Sequence, residues 1–400
     1  MKECFSKEYF RRLKLVLKSR LNDKNKILAA NTWAVSLLRY SGGIINWTKD
    51  ELKRMDRKTR KLMTIHGALH PKSDVDRIYV TRGKGGRGLI SCEGCIRAEE
   101  NSLGWYINHS PEQLLQLMKD SKVIETESCI EPDESKKAAM DELRNAWREK
   151  KMYGQFVREI TDDVDETKSW NWVRQSDLKP GTVSLIFSAQ EQALRTNYSK
   201  FHIDKTSESP LCRLCGAKGE SIPHIISECS KLAQKQYKAR HDSVGQIIHW
   251  ELCGMYGFER GKKWYEHEPQ SVLENEEAKI LWDFTIQCDH LIQSRRPDIV
   301  VVEKKKKECK IIDIAVPNDM RVGNKEQEKV EKYQDLRREI ATLWGMKKTE
   351  VIPIVVGALG MISKKLDMWI KKLGINIKTE ALQKSTLLGT ARILRRTLEM

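Results

Sequence analysis

Arg295-Arg-Pro-Asp298-Ile-Val-Val-Val-Glu303, then four lysines at 304–307, then Glu308-Cys-Lys-Ile-Ile-Asp313-Ile-Ala-Val-Pro-Asn-Asp319, is the stretch on which the fold turns. Ile299 to Val302 and Ile311 to Val316 are β-branched runs of strand length. The polar run Lys304 to Lys307 between them suits a hairpin connection. Asp298 opens the first strand and Asp313 lies inside the second. Pairing the strands brings the two carboxylates together at one edge of the sheet. Close carboxylates repel unless a cation sits between them, so the pair predicts a Mg²⁺ site. The charged segment Glu328-Lys-Val-Glu-Lys-Tyr-Gln-Asp-Leu336 follows. A lysine from that helix can steady attacking water or phosphate charge.

Outward from this hairpin, the next signal lies upstream. Cys212-x₂-Cys215-x₈-His224-x₄-Cys229 offers three thiolates and an imidazole, a closed tetrahedral Zn²⁺ set. With no coordination position left for water, such a site is structural. Cys212-Arg-Leu-Cys215-Gly forms the tight knuckle, in which backbone N–H groups face the sulfurs. Small knuckles of this kind bind single-stranded nucleic acid or protein.

The 400-residue chain carries 72 Lys+Arg against 56 Asp+Glu, a formal charge of +16. That balance favours a polyanionic partner, nucleic acid before membrane. No apolar run reaches membrane-spanning length, and Met1-Lys-Glu-Cys-Phe-Ser has no secretory core. The ten cysteines are unevenly spaced and read as reduced thiols plus one metal site, in the cytosol or nucleus.

The N-terminal region reads as helical. Phe5, Tyr9, Leu13 and Val16 recur at helix spacing. Thr48 and Glu51 form a T-x-x-E capping box ahead of a second amphipathic helix. Arg77 to Val80 reads as a short strand. Cys92-Glu-Gly-Cys95 has metal spacing but no second ligand pair, and is read as buried thiols. The Gly-rich run 82–89 is no Walker A motif. Residues 120–170 read as a polar connector. Leu273 to Ile292 reads as a helix with Ile280, Leu281, Phe284 and Leu291 inward and Glu277 on its solvated face. Lys325 to Trp344 reads as one long helix with Tyr333, Leu336, Ile340 and Leu343 on one face. Lys329 lies beside that face, and Lys332 lies about 100° from Tyr333. Helix geometry alone does not choose between the two lysines.

These residues resemble a known family. Pro297-Asp298, then Asp313 after 14 intervening residues, then a displaced lysine, is similar to the PD-(D/E)xK nucleases, and most of all to the restriction-like endonuclease of non-LTR retrotransposons. The usual lysine position, two residues after the second acid, is Ala315. The retrotransposon branch places its lysine on the following helix, and Lys332-Tyr333 looks like that pattern, with Lys329 the alternative. The family also sets a CCHC motif just before its nuclease, the order found here. Arg240-His241-Asp242 resembles a family motif, which implies DNA-phosphate contacts for Arg240 and His241; Arg295 and Arg296 join the nucleic-acid candidates. Asn31-Thr-Trp-Ala-Val, Tyr40-Ser-Gly-Gly-Ile-Ile-Asn-Trp and Gly85-Gly-Arg-Gly-Leu look like the thumb that follows a reverse-transcriptase palm. No paired polymerase aspartates with the usual aromatic are present; Ile160-Thr-Asp-Asp163 lacks it.

The resemblance implies a multidomain α+β or α/β chain. Its parts are a helical thumb-like region at 1–120, a polar helical connector at 121–180, and a helix plus zinc knuckle at 181–235. A restriction-like endonuclease domain at 236–375 and a basic C-terminal helix at 376–400 complete it. The implied activity is Mg²⁺-dependent nicking of target DNA to prime reverse transcription, in the nucleus. The implied partners are DNA, RNA and other element-encoded chains, and the polymerase would come from another polypeptide. The competing expectations are a zinc-containing nucleic-acid-binding module that does not cut, and a zinc-stabilised protein-interaction module.

Overall fold

The computed structural model describes residues 1–120, 129–175, 177–289 and 292–399. Residues 121–128 and 176 of the expected connector, and Leu291, fall outside them. The chain is α+β, largely helical with one five-stranded sheet. Two compact units divide it: residues 1–158 with 173–193, and residues 159–172 with 194–400. No described helix is long and apolar enough to cross a membrane.

The first unit is helical throughout its described residues. Helix α1 (Lys2–Lys18) buries Tyr9, Leu13 and Val16, three of the four residues its spacing marked. Helix α2 (Lys49–Ile65) begins on the expected capping box: Thr48 Oγ1 accepts from the Glu51 N–H at 3.3 Å, and Glu51 Oε2 accepts from the Thr48 N–H at 2.9 Å. It lays Leu52, Met55 and Met63 into a core shared with α1. Helix α3 (Cys92–His109) is capped by Ser91, whose hydroxyl accepts from the Gly94 N–H at 2.9 Å, and Asp56 Oδ1 from α2 accepts from the Cys92 N–H at 2.7 Å. Cys92 and Cys95 are buried in that core.

One sequence reading needs correction here. Arg77 to Val80 is no strand, because Asp76–Tyr79 forms one helical turn. That turn drives the Arg77 side chain inward, 3.3 Å from Glu191 and over the Phe187 ring at 3.9 Å. The expected polar helical connector at 121–180 is, in its described residues, divided between the two units. Helix α4 (Pro132–Glu149) buries Trp147, and helix α5 (Pro180–Gln190) is buried from Thr182 onward, both in the first unit. Residues 159–172 belong instead to the second unit. There the Val164 backbone bridges Ser363, and the Ser169 hydroxyl accepts from the Ile362 N–H at 3.1 Å.

The second unit is built on strands β1 (Val272–Glu274), β2 (Ala278–Trp282), β3 (Ile299–Glu303), β4 (Glu308–Ala315) and β5 (Lys348–Val355), in that spatial order. All pairs are antiparallel except β4 with β5, which is parallel. The hairpin forms as the sequence predicts, with Glu303 opposite Glu308 across Lys304–Lys307. Lys307 turns it at φ +54°. Pro353 lies on β5, an edge strand, where its missing N–H costs no ladder bond to a further strand.

Both faces of β3 and β4 are covered, which is why they read as unbroken apolar runs rather than alternating ones. Helix α6 (Lys238–Met255) lies on one face with Ile299, Val301, Ile312 and Ile314. It approaches closely at Gly245, where a Cβ would stand 2.7 Å from the Trp282 ring and 2.9 Å from Ile314 Cδ1. Helices α7 (Val322–Lys332) and α8 (Gln334–Leu343) form the crossover from β4 to β5. They cover Val300, Val302 and Ile311 with Tyr333, Leu336 and Ile340. Helix α9 (Leu366–Leu373) joins the α6 face, and helix α10 (Thr379–Leu398) packs beside α6. The expected C-terminal helix is present, and its Leu382, Leu387, Ala391 and Leu394 are fully buried in this unit.

The expected helix 273–292 needs correction. Its first ten residues are β1, a turn and β2, and Phe284 is exposed. A short apolar cluster fits either period, and here the β-prone Ile280-Leu-Trp pairs with β3. Glu277 sits in the β1–β2 turn and pairs with Lys305 at 3.0 Å, beside the hairpin loop and away from the aspartates. The long helix 325–344 also breaks, at Tyr333 (φ −105°, ψ 12°), and Leu343 is exposed.

Candidate functional site

Ile299 pairs with Ile312, so the next position outward sets Asp298 opposite Asp313. By strand alternation both belong to the face covered by α7 and α8. Asp298 Oδ2 accepts from the Ile314 N–H at 2.6 Å and meets His241 Nε2 at 3.1 Å. Burial alone would raise its pKa, but the His241 hydrogen bond and charge, the Ile314 N–H and the nearby Lys329 lower it below the ordinary carboxylate range.

Asp313 is buried. Its Oδ1 accepts from the Tyr333 hydroxyl at 2.5 Å, and its Oδ2 is ion-paired with the Lys329 ammonium. Lys332 Nζ stands 3.9 Å from Oδ1 and 2.9 Å from the Tyr333 hydroxyl. Both lysines proposed from sequence therefore reach the same carboxylate. Lys329 holds it in direct contact from a mostly buried position, while Lys332 is 42% exposed and stands farther off. Burial lowers the Lys332 pKa, opposed by Asp313 and reinforced by Lys329. Lys325, Lys329 and Lys332 share one face of α7 at i, i+4 and i+7.

His241 lies near the start of α6. Its Nδ1 is 3.0 Å from Asp242, and its Nε2 is 3.1 Å from both Asp298 and the Ile314 carbonyl. Burial works against its charged form, but hydrogen bonds to Asp242 and Asp298 outweigh this and raise its pKa to about 10. An imidazolium thus sits among carboxylate and carbonyl oxygens at neutral pH. Where a phosphate contact is expected of His241 from the sequence, the structure sets it against Asp242, Asp298 and the Ile314 carbonyl.

Arg240 corrects that expectation more sharply. It is 3% exposed, donates to Thr390 Oγ1 at 2.9 Å and to the Ile226 carbonyl at 2.8 Å, and ties α6 to α10. On a helix its side chain points about 100° away from that of His241, here into the interior. Arg296 is exposed and paired with Asp283 at 2.8 Å, and Arg295 is exposed beside it. Sequence reasoning gave no role to the Tyr333 hydroxyl; a tyrosine in a lysine-rich helix facing a strand aspartate was the available signal.

The knuckle residues also converge. Leu211 bridges Gly219, Gly216 turns the backbone at φ +65°, and the Cys212 N–H donates to the Lys218 carbonyl at 2.8 Å. One turn of π-helix, His224–Glu228, delivers His224 and leads into Cys229. Cys212 Sγ lies 3.9 Å from Cys229 Sγ, and Cys215 Sγ lies 3.3 Å from His224 Nε2. A tetrahedron with Zn–S bonds of about 2.3 Å has S–S edges of about 3.8 Å, so the spacing suits an ion of that size. Backbone N–H groups of Ala217 and Lys218 lower the Cys215 pKa to about 6. Burial and the neighbouring Cys212 raise that of Cys229 to about 11, a cost that a cation among the sulfurs removes. The Tyr237 hydroxyl braces the ligands, accepting from the Cys229 N–H at 3.0 Å and donating to the Ile225 carbonyl at 2.7 Å. Buried Glu220 fixes the knuckle by accepting from the Arg213 N–H and the Asn197 N–H. This Cys/His cluster can hold a metal ion such as zinc. No protein-family model matches the chain, and no curated protein does.

Proposed function

We propose that the second unit is a metal-dependent DNA endonuclease of the PD-(D/E)xK type, derived from the C-terminal part of a non-LTR retrotransposon reverse transcriptase. The observation that carries this reading is the convergence of Asp298 and Asp313 across the β3–β4 hairpin with Lys329 and Lys332 on α7. Two opposed carboxylates with an adjacent backbone carbonyl are oxygen donors of the kind a hard cation takes.

Asp298 and Asp313 would hold Mg²⁺, whose contribution is to lower the pKa of bound water and to polarise the phosphate. Tyr333 keeps the Asp313 carboxylate oriented through its short hydrogen bond. Lys329 now neutralises Asp313; once the carboxylate's charge is otherwise balanced, its ammonium is free for a phosphate oxygen. Lys332, more exposed, meets the phosphodiester from the solvent side. His241 holds Asp298 ionised and placed. The knuckle would take Zn²⁺ as a structural ion ahead of the nuclease. The helical first unit would be the thumb-like part, and the basic surface would receive DNA or RNA in the nucleus.

The test is nicking of supercoiled plasmid by the zinc-loaded chain, with Mg²⁺ supplied or withheld, beside Asp313→Ala. Cleavage that needs both Mg²⁺ and Asp313, with DNA retention unchanged in the variant, is the expected result. Retention without any nicking would overturn it. That outcome would favour the second reading, a nucleic-acid-binding module that does not cut. Its support is the ion network itself: Asp313 is already paired with Lys329 and Asp298 with His241, a self-neutralised arrangement inside a chain of net charge +16.

A further inference from the structure

A second set of metal-ligating atoms converges inside the second unit, away from both the aspartates and the knuckle. His249 and Cys253 are one turn apart on α6, so their side chains leave the same helix face. The chain leaves the helix, turns at Gly257 (φ +70°), and comes back to place His267 against them. His267 Nε2 is 2.8 Å from His249 Nδ1, and Cys253 Sγ is 3.4 Å from the same nitrogen. One donor atom from each of the three lies within 4.8 Å of the others, and all three residues are buried. The loop that brings His267 is itself fastened: Trp250 Nε1 donates to the Gly261 carbonyl at 2.7 Å, Arg260 stacks on the Trp250 ring at 3.8 Å, and the Gln246 amide donates to the His267 carbonyl.

Hydrogen bonding alone serves this cluster poorly. His249 Nδ1 faces two partners with one lone pair, and the buried Nε2 of the same ring has no hydrogen-bond partner among the described residues. The surroundings keep the imidazoles uncharged. Trp282 lies edge-on to His249 at 5.5 Å, and burial first, then the cationic Arg260, oppose a proton on His267. Neutral rings offer the lone pairs that a metal ion needs. Two imidazoles with one thiolate form a borderline-soft donor set, which suits Zn²⁺ rather than Mg²⁺ or Ca²⁺.

We propose that His249 Nδ1, Cys253 Sγ and His267 Nε2 bind a thiophilic divalent cation, with Zn²⁺ as the reference ion and water in the fourth position. The Cys253 thiol gives its proton to solvent as the Zn–S bond forms. The N–N edge of a zinc tetrahedron is about 3.3 Å, so the two rings part by about half an ångström on binding. The ion staples the 256–267 loop to α6. The cluster sits eight residues, about 12 Å along the helix, from His241. It therefore stiffens the element that carries His241, but it does not depend on whether the aspartates cut DNA.

The experiment is a metal count on the purified full chain after zinc loading and desalting, repeated for Cys253→Ser, His267→Gln and Cys215→Ser. About two zinc ions per wild-type chain are expected, falling by about one in each variant and by about two in Cys215→Ser/Cys253→Ser. His267→Gln lies in a loop and keeps the assay interpretable if Cys253→Ser does not fold. Cobalt substitution supplies a second readout: the thiolate-to-cobalt absorption that survives Cys215→Ser disappears with Cys253→Ser. A wild-type count unchanged by both Cys253→Ser and His267→Gln overturns the proposal. A single ion lost with Cys253→Ser and His267→Gln, but retained in Cys215→Ser, upholds it while removing zinc from the knuckle.

Discussion

The Tyr333 hydroxyl donates to Asp313 Oδ1 at 2.5 Å from the residue at which the α7–α8 helical run breaks. The break is what lets one tyrosine be both a core residue packed against Val300 and Ile311 and a polar partner for the strand aspartate. Asp313 thus has three partners from one short stretch: Tyr333, Lys329 and, at longer range, Lys332.

That arrangement separates the two lysines. Lys329→Met leaves a buried carboxylate without its ion pair and is expected to cost about 3 kcal/mol of stability. Lys332→Met, at a half-exposed position, is expected to change stability by less than about 1 kcal/mol. Its effect should fall on nicking instead, by about a hundredfold. Urea midpoints and plasmid cleavage read the two effects apart; equal destabilisation by both substitutions would end the distinction.

Arg240 and Arg295 should part in the opposite sense. Arg240→Ala removes the buried guanidinium that ties α6 to α10, at about 3 kcal/mol, with no change in the salt dependence of DNA retention. Arg295→Ala should leave stability alone and flatten the slope of log affinity against log salt by about one if it meets a phosphate. A shallower slope for Arg240→Ala in the folded protein would return that residue to the surface role first expected of it.

Glu303 sets an acid limit. Burial opposes its charge, but Lys306 and Lys310, the latter at 2.7 Å, lower its pKa to about 2. The sign follows from a depressed native value: the pair's stabilisation is present above the unfolded pKa of about 4.3 and fades as pH falls toward 2. Glu303→Gln should be less stable than the parent by about 2 kcal/mol at pH 7, and the gap should close near pH 2. Thermal melts across that range are the check, and a gap independent of pH would contradict the ion-pair account.

Cys215 should be the quickest thiol in metal-free protein. Ala217 and Lys218 N–H groups hold its pKa at about 6, while burial raises the pKa values of Cys92, Cys95, Cys253 and Cys309. Brief alkylation at pH 7 followed by peptide mapping should mark Cys215 first after chelation and spare it after zinc loading. Equal labelling in both states would argue against an ion in the knuckle.

Gly245→Ala tests the seat of α6 on the sheet. The new methyl would meet Trp282 and Ile314 inside 3 Å, and the expected cost is about 1–3 kcal/mol in denaturant titration.

The hairpin was legible because its signals are local: two β-branched runs, a lysine loop, and acids at positions that one register makes opposite. The capping box at Thr48 and Glu51 was legible for the same reason. What the sequence hid depends on distant chain. The Ala278–Trp282 strand exists because β3 is there to pair with it, and nothing inside residues 273–292 distinguishes that outcome from a helix. Arg240 and His241 are adjacent, and only the packing of α10 decides which one goes inside. The break at Tyr333 has no Gly or Pro to announce it. His267 falls 14 residues beyond Cys253, on a loop whose return is fixed by Trp250 and Arg260 rather than by spacing.

The interleaving of the two units sets a schedule for synthesis. Residues 159–172 leave the ribosome before the first unit has its last segment, 173–193, yet they belong to the second. Trp170 and Trp172 are buried, and Gly360, made 188 residues later, packs on the Trp172 indole. At translation speeds of 5–20 residues per second, that wait is roughly 10–40 s. For that interval the Trp172 indole waits for its Gly360 contact on a nascent chain, a span in which a chaperone has something to hold. A fragment begun at residue 194 would lack residues 159–172 of its own unit permanently.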